Sequence, residues 1–129
     1  MDKVFKDVER ISKRLLAKPT ESPKGIALKG GVYLIRRNNK IIYVGKAVNL
    51  HRRINSDHIS GEIKNSTSTV RRKISKNYGI LHGQKMREWM SECKFSTFEI
   101  EDSDLRGLVE DYLIYKLKKG RDSSSILNS

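Results

Sequence analysis

Two short runs of β-branched and aromatic residues, on either side of two asparagines, constrain the fold of this chain most strongly. Residues 31–37 (Gly-Val-Tyr-Leu-Ile-Arg-Arg) and 40–45 (Lys-Ile-Ile-Tyr-Val-Gly) have the composition of β-strands. Only Asn38 and Asn39 separate them, and asparagine tolerates the left-handed conformation that tight turns require. The pattern therefore predicts a β-hairpin. Apolar and polar residues alternate at 95–100 and predict a third strand.

Segments with apolar residues at helical spacing surround these strands. The first helix is expected over residues 1–17, after which Pro19 and Pro23 begin a linker. The other helices are expected from about 49, from about 67 to 79, over about 83–92 and over about 104–119, with a polar loop at 55–69. Helices packed on a small three-stranded antiparallel sheet make the predicted fold class α+β.

The distribution of charge is the first indication of function. The chain carries 27 basic and 15 acidic residues, a net charge of +12. Residues 36–87 hold 13 of the basic residues and only two acidic ones, Asp57 and Glu62. A stretch this positive favours binding to a polyanion through phosphate contacts and counterion release. The simpler alternative is a lysine-rich surface for solubility, but solubility does not require acidic residues to be missing from one long stretch.

Composition also excludes several classes of protein. The longest apolar runs are about five residues, whereas a membrane-spanning helix needs roughly 20. The first fifteen residues are charged and show no signal-peptide core, so we expect no secretion signal. Cys93 is the only cysteine, which excludes a disulfide framework and a cysteine-based zinc site. A single cysteine suits a reducing compartment, and we therefore expect a cytoplasmic protein.

Two tripeptides in the predicted hairpin resemble the signature of a known family. Gly-Val-Tyr at 31–33 and Tyr-Val-Gly at 43–45 place their tyrosines ten positions apart, and Arg53 follows eight positions after the second glycine. Here the chain resembles the GIY-YIG nuclease family, which is named for these paired tripeptides. The resemblance extends to about Asn128, so we expect an N-terminal helix and linker before a GIY-YIG-like nuclease domain at 31–129. It implies a DNA endonuclease that leaves a 5′-phosphate and a 3′-hydroxyl.

The hairpin register decides whether the two tyrosines can share a site, as the resemblance implies. Side chains alternate between the faces of a strand, so the loop length sets which residues lie opposite each other. A two-residue turn at Asn38 and Asn39 would pair Tyr33 with Val44 and place Tyr33 and Tyr43 on opposite faces. A three-residue loop would pair the two tyrosines directly. Both phenols reach one site only if the loop has an odd number of residues or a strand contains a bulge.

The resemblance assigns roles to three further side chains. Arg53 shares a helix face with Asn49 and would hold the scissile phosphate, while Arg52 points elsewhere and would contact the nucleic acid backbone. Glu110 lies on or beside the apolar stripe of the last helix, where a carboxylate is costly unless a cation or hydrogen-bond donors satisfy it. The family has one metal-binding glutamate on such a helix, which implies Mg²⁺, or Mn²⁺, at Glu110. The plainer alternative is that Glu110 reaches water and that Asp111 beside it is solvated.

The general base stays open between Tyr33 and His58. Family members use a tyrosine of the first tripeptide, or a histidine or tyrosine about four positions after the arginine. In this chain Asp57 occupies that position, and His58 comes one residue later. A neutral imidazole is suited to proton transfer near pH 7. Tyr33 would need a lowered pKa for the same task.

Three further features complete the expected site. Lys46 follows the second tripeptide directly, where several family members have a basic residue that polarises the nucleophile or contacts phosphate. The family also has an asparagine after the glutamate helix that supports the site by hydrogen bonds, and Asn128 is the matching residue at longer spacing. The basic helix is expected to lie along duplex DNA, unless it is only a solvated face. Its cations are Arg71, Arg72, Lys73 and Lys76.

Two alternatives compete with the nuclease hypothesis. A module that keeps the fold but lacks catalysis would bind nucleic acid in a salt-dependent way and make no strand breaks. A protein-interaction or ribosome-associated domain would use its charge for RNA. The resemblance also implies a possible homodimer, since small members that cut both strands tend to act as oligomers. The helix from Val4 to Leu16 would either form that contact or cover the sheet of its own domain.

Overall fold

The computed structural model describes residues 2–60, 69–120 and 126–128. Helix α1 (Asp2–Ala17) precedes a 3₁₀ turn (Pro23–Gly25) and a hairpin of strands β1 (Gly31–Arg37) and β2 (Lys40–Ala47). Helix α2 (Leu50–Arg52) continues directly into a π-helix (Arg53–Ser60), which we call the π segment. The remaining elements are helices α3 (Thr69–Tyr78) and α4 (Gln84–Ser91), strand β3 (Lys94–Glu99) and helix α5 (Ser103–Lys119).

The three strands form one antiparallel sheet in the order β2-β1-β3, which confirms the predicted hairpin, the third strand and the α+β class. β1 is the central strand, and its first five residues are all buried. One face of the sheet, with Tyr33 and Ile35, packs against α2, the π segment, α3 and α4. The other face, with Val32 and Leu34, packs against α1 and α5. Coverage on both faces explains why β1 reads as a continuous apolar run.

The hairpin combines a two-residue turn with a β-bulge. Asn38 and Asn39 have φ angles of 53° and 63°, as a type I′ turn requires. Beyond the turn the register shifts by one residue, because Ile35 pairs with Tyr43 and leaves Ile42 as the extra residue of β2. Of the two arrangements that bring both tyrosines to one face, this chain therefore uses the bulge.

Helix α1 covers the sheet of its own domain. Val8, Ile11 and Leu15 are buried in the cluster that contains Val32 and Leu34. This apolar stripe is therefore occupied within the monomer. Within the described residues, no helix combines the length and the apolar character needed to cross a membrane.

The region expected as a loop at 55–69 differs from that expectation. Residues up to Ser60 continue the π segment, because Ile54 anchors it in the core and Ile59 packs against the same cluster. Residues 61–68 lie outside the described part of the chain, and so does the serine-rich stretch at 123–125. Helix α5 begins one residue before the predicted start and ends where expected.

We predict that Gly45→Ala lowers the free energy of unfolding by several kcal/mol, by forced repacking of a buried ring. A Cβ at Gly45 would overlap Cζ and Oη of Tyr33, whose side chain is fully buried. Gly25→Ala is the matched control, because a Cβ there meets nothing within 4 Å. Urea denaturation of both variants tests this, and equal stabilities would contradict the packing described.

Candidate active site

Tyr33 and Tyr43 project from the same face of the hairpin, as the bulge at Ile42 requires. Their ring centroids are 6.3 Å apart. Tyr33 is buried and Tyr43 is partly buried. Gly45 is the cross-strand partner of Tyr33, and its missing side chain leaves the space in which the Tyr33 ring lies. The hairpin therefore presents one buried phenol and one more accessible phenol side by side.

The π segment brings His58 to Tyr33. Tyr33 Oη and His58 Nε2 are 2.6 Å apart, and both side chains are buried. Hydrogen bonds in a π-helix run between residues five apart, so His58 lies about one turn after Arg53. In an α-helix the position one turn later is four residues on, which in this chain is Asp57. The wider turn therefore compensates for the one-residue offset of His58 in the sequence.

Burial fixes the protonation of this pair. Desolvation, together with the nearby Arg53 and Arg71 cations, lowers the pKa of His58 to about 3. Desolvation also raises the pKa of Tyr33 far above its ordinary value, with a contribution from Tyr43. Near neutral pH the imidazole is therefore uncharged and the phenol keeps its proton. With the imidazole proton on Nδ1, His58 Nε2 accepts this hydrogen bond and Tyr33 donates it.

Arg53 lies at the solvent side of this pair. Its side chain is 42% exposed, and its Nε is 3.0 Å from Oδ2 of Asp57. Its positive charge counteracts the rise in pKa of both Tyr33 and Tyr43, so the guanidinium faces both phenols. Since Asp57 engages Nε, the two terminal nitrogens can form a bidentate contact with a phosphate. The ion pair thus holds the arginine fork in place beside the tyrosines.

Glu110 approaches the same phenols from helix α5. Its carboxylate is one cause of the raised pKa of Tyr33 and of Tyr43. Desolvation raises the pKa of Glu110 itself, while Lys46 opposes that rise and Asp111 adds to it. Lys46 reaches α5 over Gly107, where a Cβ would lie 3.5 Å from Nζ. The side chains predicted from the tripeptides and the last helix are therefore gathered around the two phenols.

The donor set around Glu110 fits a single-carboxylate metal site. Its carboxylate makes no hydrogen bond or ion pair with the described residues, although the side chain is partly buried. A partly desolvated carboxylate without a protein partner is suited to a divalent cation. Residues 2–60, 69–120 and 126–128 contain no group of three or more histidine, cysteine, aspartate or glutamate side chains that could hold a metal. A cation here would therefore depend on Glu110 together with water and substrate oxygens.

Asn128 supports the site through the backbone of β2. Its side chain donates to the Val44 carbonyl at 2.8 Å and accepts from the Val44 N–H at 3.0 Å. Leu127 N–H donates to the Ile42 carbonyl, so the chain end lies along the free edge of β2. Both ends of the Asn128 amide are thus engaged by the strand between Tyr43 and Gly45.

The cations predicted to bind nucleic acid lie in different environments. Arg52, Arg72 and Lys76 are exposed, and Lys73 is partly buried. Arg71 differs from the expectation, because it is 3% exposed and its Nη1 donates to the carbonyl of His58 at 2.6 Å. The helical periodicity of α3 turns this arginine inward with Val70 and Ile74, while Arg72 and Lys76 face solvent.

Two contacts in this site were not predicted from the sequence. The Arg53–Asp57 ion pair has the spacing of an i,i+4 pair, which was a usable signal. The contact between Arg71 and the π segment joins residues thirteen apart and had no local signal.

We predict that His58 makes stability depend on pH. The unfolded state binds a proton as the pH falls below about 6.5, whereas the folded state keeps His58 neutral. The free energy of unfolding of the wild type should therefore decrease as the pH is lowered, relative to that of His58→Gln, by up to about 1.4 kcal/mol per pH unit. His82→Gln changes an exposed histidine and should keep the wild-type dependence. Denaturation between pH 7 and pH 4.5 tests this, and parallel curves for wild type and His58→Gln would refute it.

Comparison with known proteins gives a match to a family model. The family model described as the GIY-YIG catalytic domain matches residues 29–121, which include both tyrosines, Arg53 and Glu110. No significant match was found among curated proteins or among solved structures. The matched region spans most of the chain and contains every element of the sheet described above. The chain therefore belongs to the GIY-YIG family of nucleases.

Proposed function

We propose that this protein is a Mg²⁺-dependent endonuclease that hydrolyses phosphodiester bonds in duplex DNA. The observation that carries the proposal is the buried contact between Tyr33 and His58, with Arg53 and Glu110 close enough to act electrostatically on Tyr33. Such an arrangement joins a proton acceptor, a phosphate ligand and a candidate metal ligand in one place. A module that only binds nucleic acid has no use for a buried phenol–imidazole pair, whose two polar groups are costly to bury.

Tyr33 is the general base in this proposal, and His58 acts through it. A water beside Tyr33 transfers a proton to the phenolic oxygen as it attacks phosphorus, and the phenolic proton passes to His58 Nε2. The phenol is thereby reprotonated as it gives up its own proton, so no free phenolate forms. His58 Nε2 is already engaged by Tyr33 within a buried environment, which favours contact of the water with the tyrosine. In this proposal Tyr33, and not His58, contacts the attacking water.

The other side chains of the site bind and orient the substrate. Arg53 contacts the scissile phosphate through its terminal nitrogens and stabilises the charge that develops there. Tyr43 is more accessible than Tyr33 and orients the attacking water, while Lys46 contacts a phosphate oxygen. Glu110 would hold the cation, which when bound supplies positive charge at the phosphate and at the leaving oxygen.

Duplex DNA is the substrate that the charge distribution favours. The stretch at 36–87 has 13 basic residues against two acidic ones, and Arg52, Arg72 and Lys76 are exposed within it. Cations on an exposed helix face bind phosphates without reading sequence. The affinity for DNA should accordingly fall steeply as salt is added. Structured RNA competing equally well with duplex DNA would favour the RNA-associated alternative instead.

We predict that the wild type nicks supercoiled plasmid in Mg²⁺ and that Glu110→Gln lowers the rate by at least about a hundredfold. The amide keeps the shape of the side chain but loses the charge that attracts a cation. Asp111→Asn is the matched control, since its side chain is the exposed neighbour of Glu110. EDTA should abolish nicking by the wild type. Salt-sensitive DNA binding without nicks would support the inactive binding module, and equal rates for the two variants would exclude Glu110 as metal ligand.

The proposal includes association of two copies through helix α5. Leu108 and Tyr115 are 47% and 55% exposed, and they lie seven residues apart on one helix flank. An antiparallel pairing of two α5 helices, centred between residues 111 and 112, places Leu108 opposite Tyr115 of the second copy. The same register places Asp104 opposite Lys119, so opposite charges meet at both ends of the contact. Glu110 lies on the other flank of α5 and stays accessible.

We predict a dimer by size-exclusion chromatography with light scattering at micromolar concentration. Lys119→Glu should weaken it, because it places two carboxylates opposite each other, and adding Asp104→Lys to that variant should restore it. The restored double variant separates a specific contact from a general change in surface charge. A wild type that is monomeric with and without DNA would remove the dimer.

A further inference from the structure

Arg71 is a buried cation on a helix whose Arg72 and Lys76 face solvent. It lies on α3 and is 3% exposed. Its Nη1 donates to the His58 carbonyl at 2.6 Å and to the Ile59 carbonyl at 3.1 Å. Burying a guanidinium is costly, and desolvation accordingly lowers the pKa of Arg71. The hydrogen bonds that Arg71 makes must therefore offset the cost of its burial.

The two carbonyls that Arg71 contacts belong to the last turn of the π segment. A cation at the C-terminal turn of a helix complements the helix dipole. A charge-assisted hydrogen bond of this kind is short and roughly twice as strong as a neutral one. Arg71 therefore fixes the end of the π segment.

The residue whose carbonyl Arg71 binds most closely is the one that meets Tyr33. The His58 backbone contacts Arg71, while its imidazole nitrogen lies 2.6 Å from the Tyr33 hydroxyl. A displacement of the His58 backbone would lengthen that hydrogen bond. Small displacements matter here, because a misplacement of about 1 Å can cost a hundredfold in rate.

We propose that Arg71 is a positioning residue that couples helix α3 to the Tyr33–His58 pair. The inference rests on the proposed function for its consequence in cleavage. Helix α3 presents Arg72 and Lys76 to solvent, and the opposite side of the same helix holds His58 through Arg71. DNA bound along the exposed side therefore stabilises the helix that positions the proton acceptor. Substrate binding and assembly of the base are linked through one side chain.

Arg71→Met and Arg71→Lys test the coupling, with Arg36→Met as the matched control. Arg36 likewise donates to a backbone carbonyl, that of Leu16 at 2.8 Å, but at the end of α1. Three quantities are measured for each folded variant: the Kd for a duplex, the single-turnover cleavage rate at saturating duplex, and amide hydrogen exchange in residues 53–60 of the free protein.

We expect Arg71→Met to lower the cleavage rate by about 10- to 100-fold and to change the Kd by less than threefold, because the loss is one of positioning. Hydrogen exchange in residues 53–60 should become faster. Arg71→Lys keeps the charge and should recover part of the rate, while Arg36→Met should keep the wild-type rate. A weaker Kd with an unchanged rate would show that Arg71 is a DNA ligand and would overturn the proposal.

The hydrogen-exchange measurement keeps the two proposals separate. If the wild type does not cleave DNA, the proposed function fails, but faster exchange confined to residues 53–60 in Arg71→Met would still support the positioning role. Unchanged exchange in that segment, in a variant that folds, would overturn it. If Arg71→Met does not fold, the test rests on Arg71→Lys. A cleavage rate and a hydrogen-exchange pattern of Arg71→Lys equal to those of the wild type would then refute the proposal.

Discussion

The site depends on one buried hydrogen bond, between the Tyr33 hydroxyl and His58 Nε2. Both groups are removed from water, and leaving either without a partner would cost about 1–3 kcal/mol. The bond therefore specifies the positions of two elements that are distant in sequence, the hairpin and the π segment. Burial keeps the imidazole uncharged and the phenol protonated near neutral pH, so the bond joins two neutral groups. The proposed chemistry of the site follows from that pairing.

Two irregularities of the backbone bring the side chains of the site together, and each inserts one residue into a regular element. The bulge at Ile42 turns Tyr43 to the face of Tyr33. The π segment turns His58, five residues after Arg53, toward the same face. Both irregularities lie where the side chains of the site converge. Irregularities of this kind are frequent at functional sites, since they re-aim a side chain without a change of fold.

The sequence predicted those features that local patterns determine. The hairpin, the apolar stripe of α1 and the position of Glu110 on the last helix follow from periodicity of two or 3.6 residues. The sequence left two alternatives for the hairpin, a bulge or a loop with an odd number of residues, because Ile42 has no feature that distinguishes them. Residues 55–60 of the π segment were expected as a loop, since they are mostly polar and carry no helical stripe, and the segment is held by Ile54 and by packing on α4. The inward turn of Arg71 depends on a contact with a distant carbonyl and could not be foreseen from its basic neighbours.

The proposed chemistry depends on the protonation state of the His58 ring, which one measurement can establish. Nitrogen NMR of the imidazole in ¹⁵N-labelled protein distinguishes the charged ring from the two neutral tautomers. We predict a neutral ring near pH 7, with the proton on Nδ1 and an unprotonated Nε2 whose resonance shifts in Tyr33→Phe. A charged ring, or a proton on Nε2, would contradict the proposed transfer of the Tyr33 proton to His58.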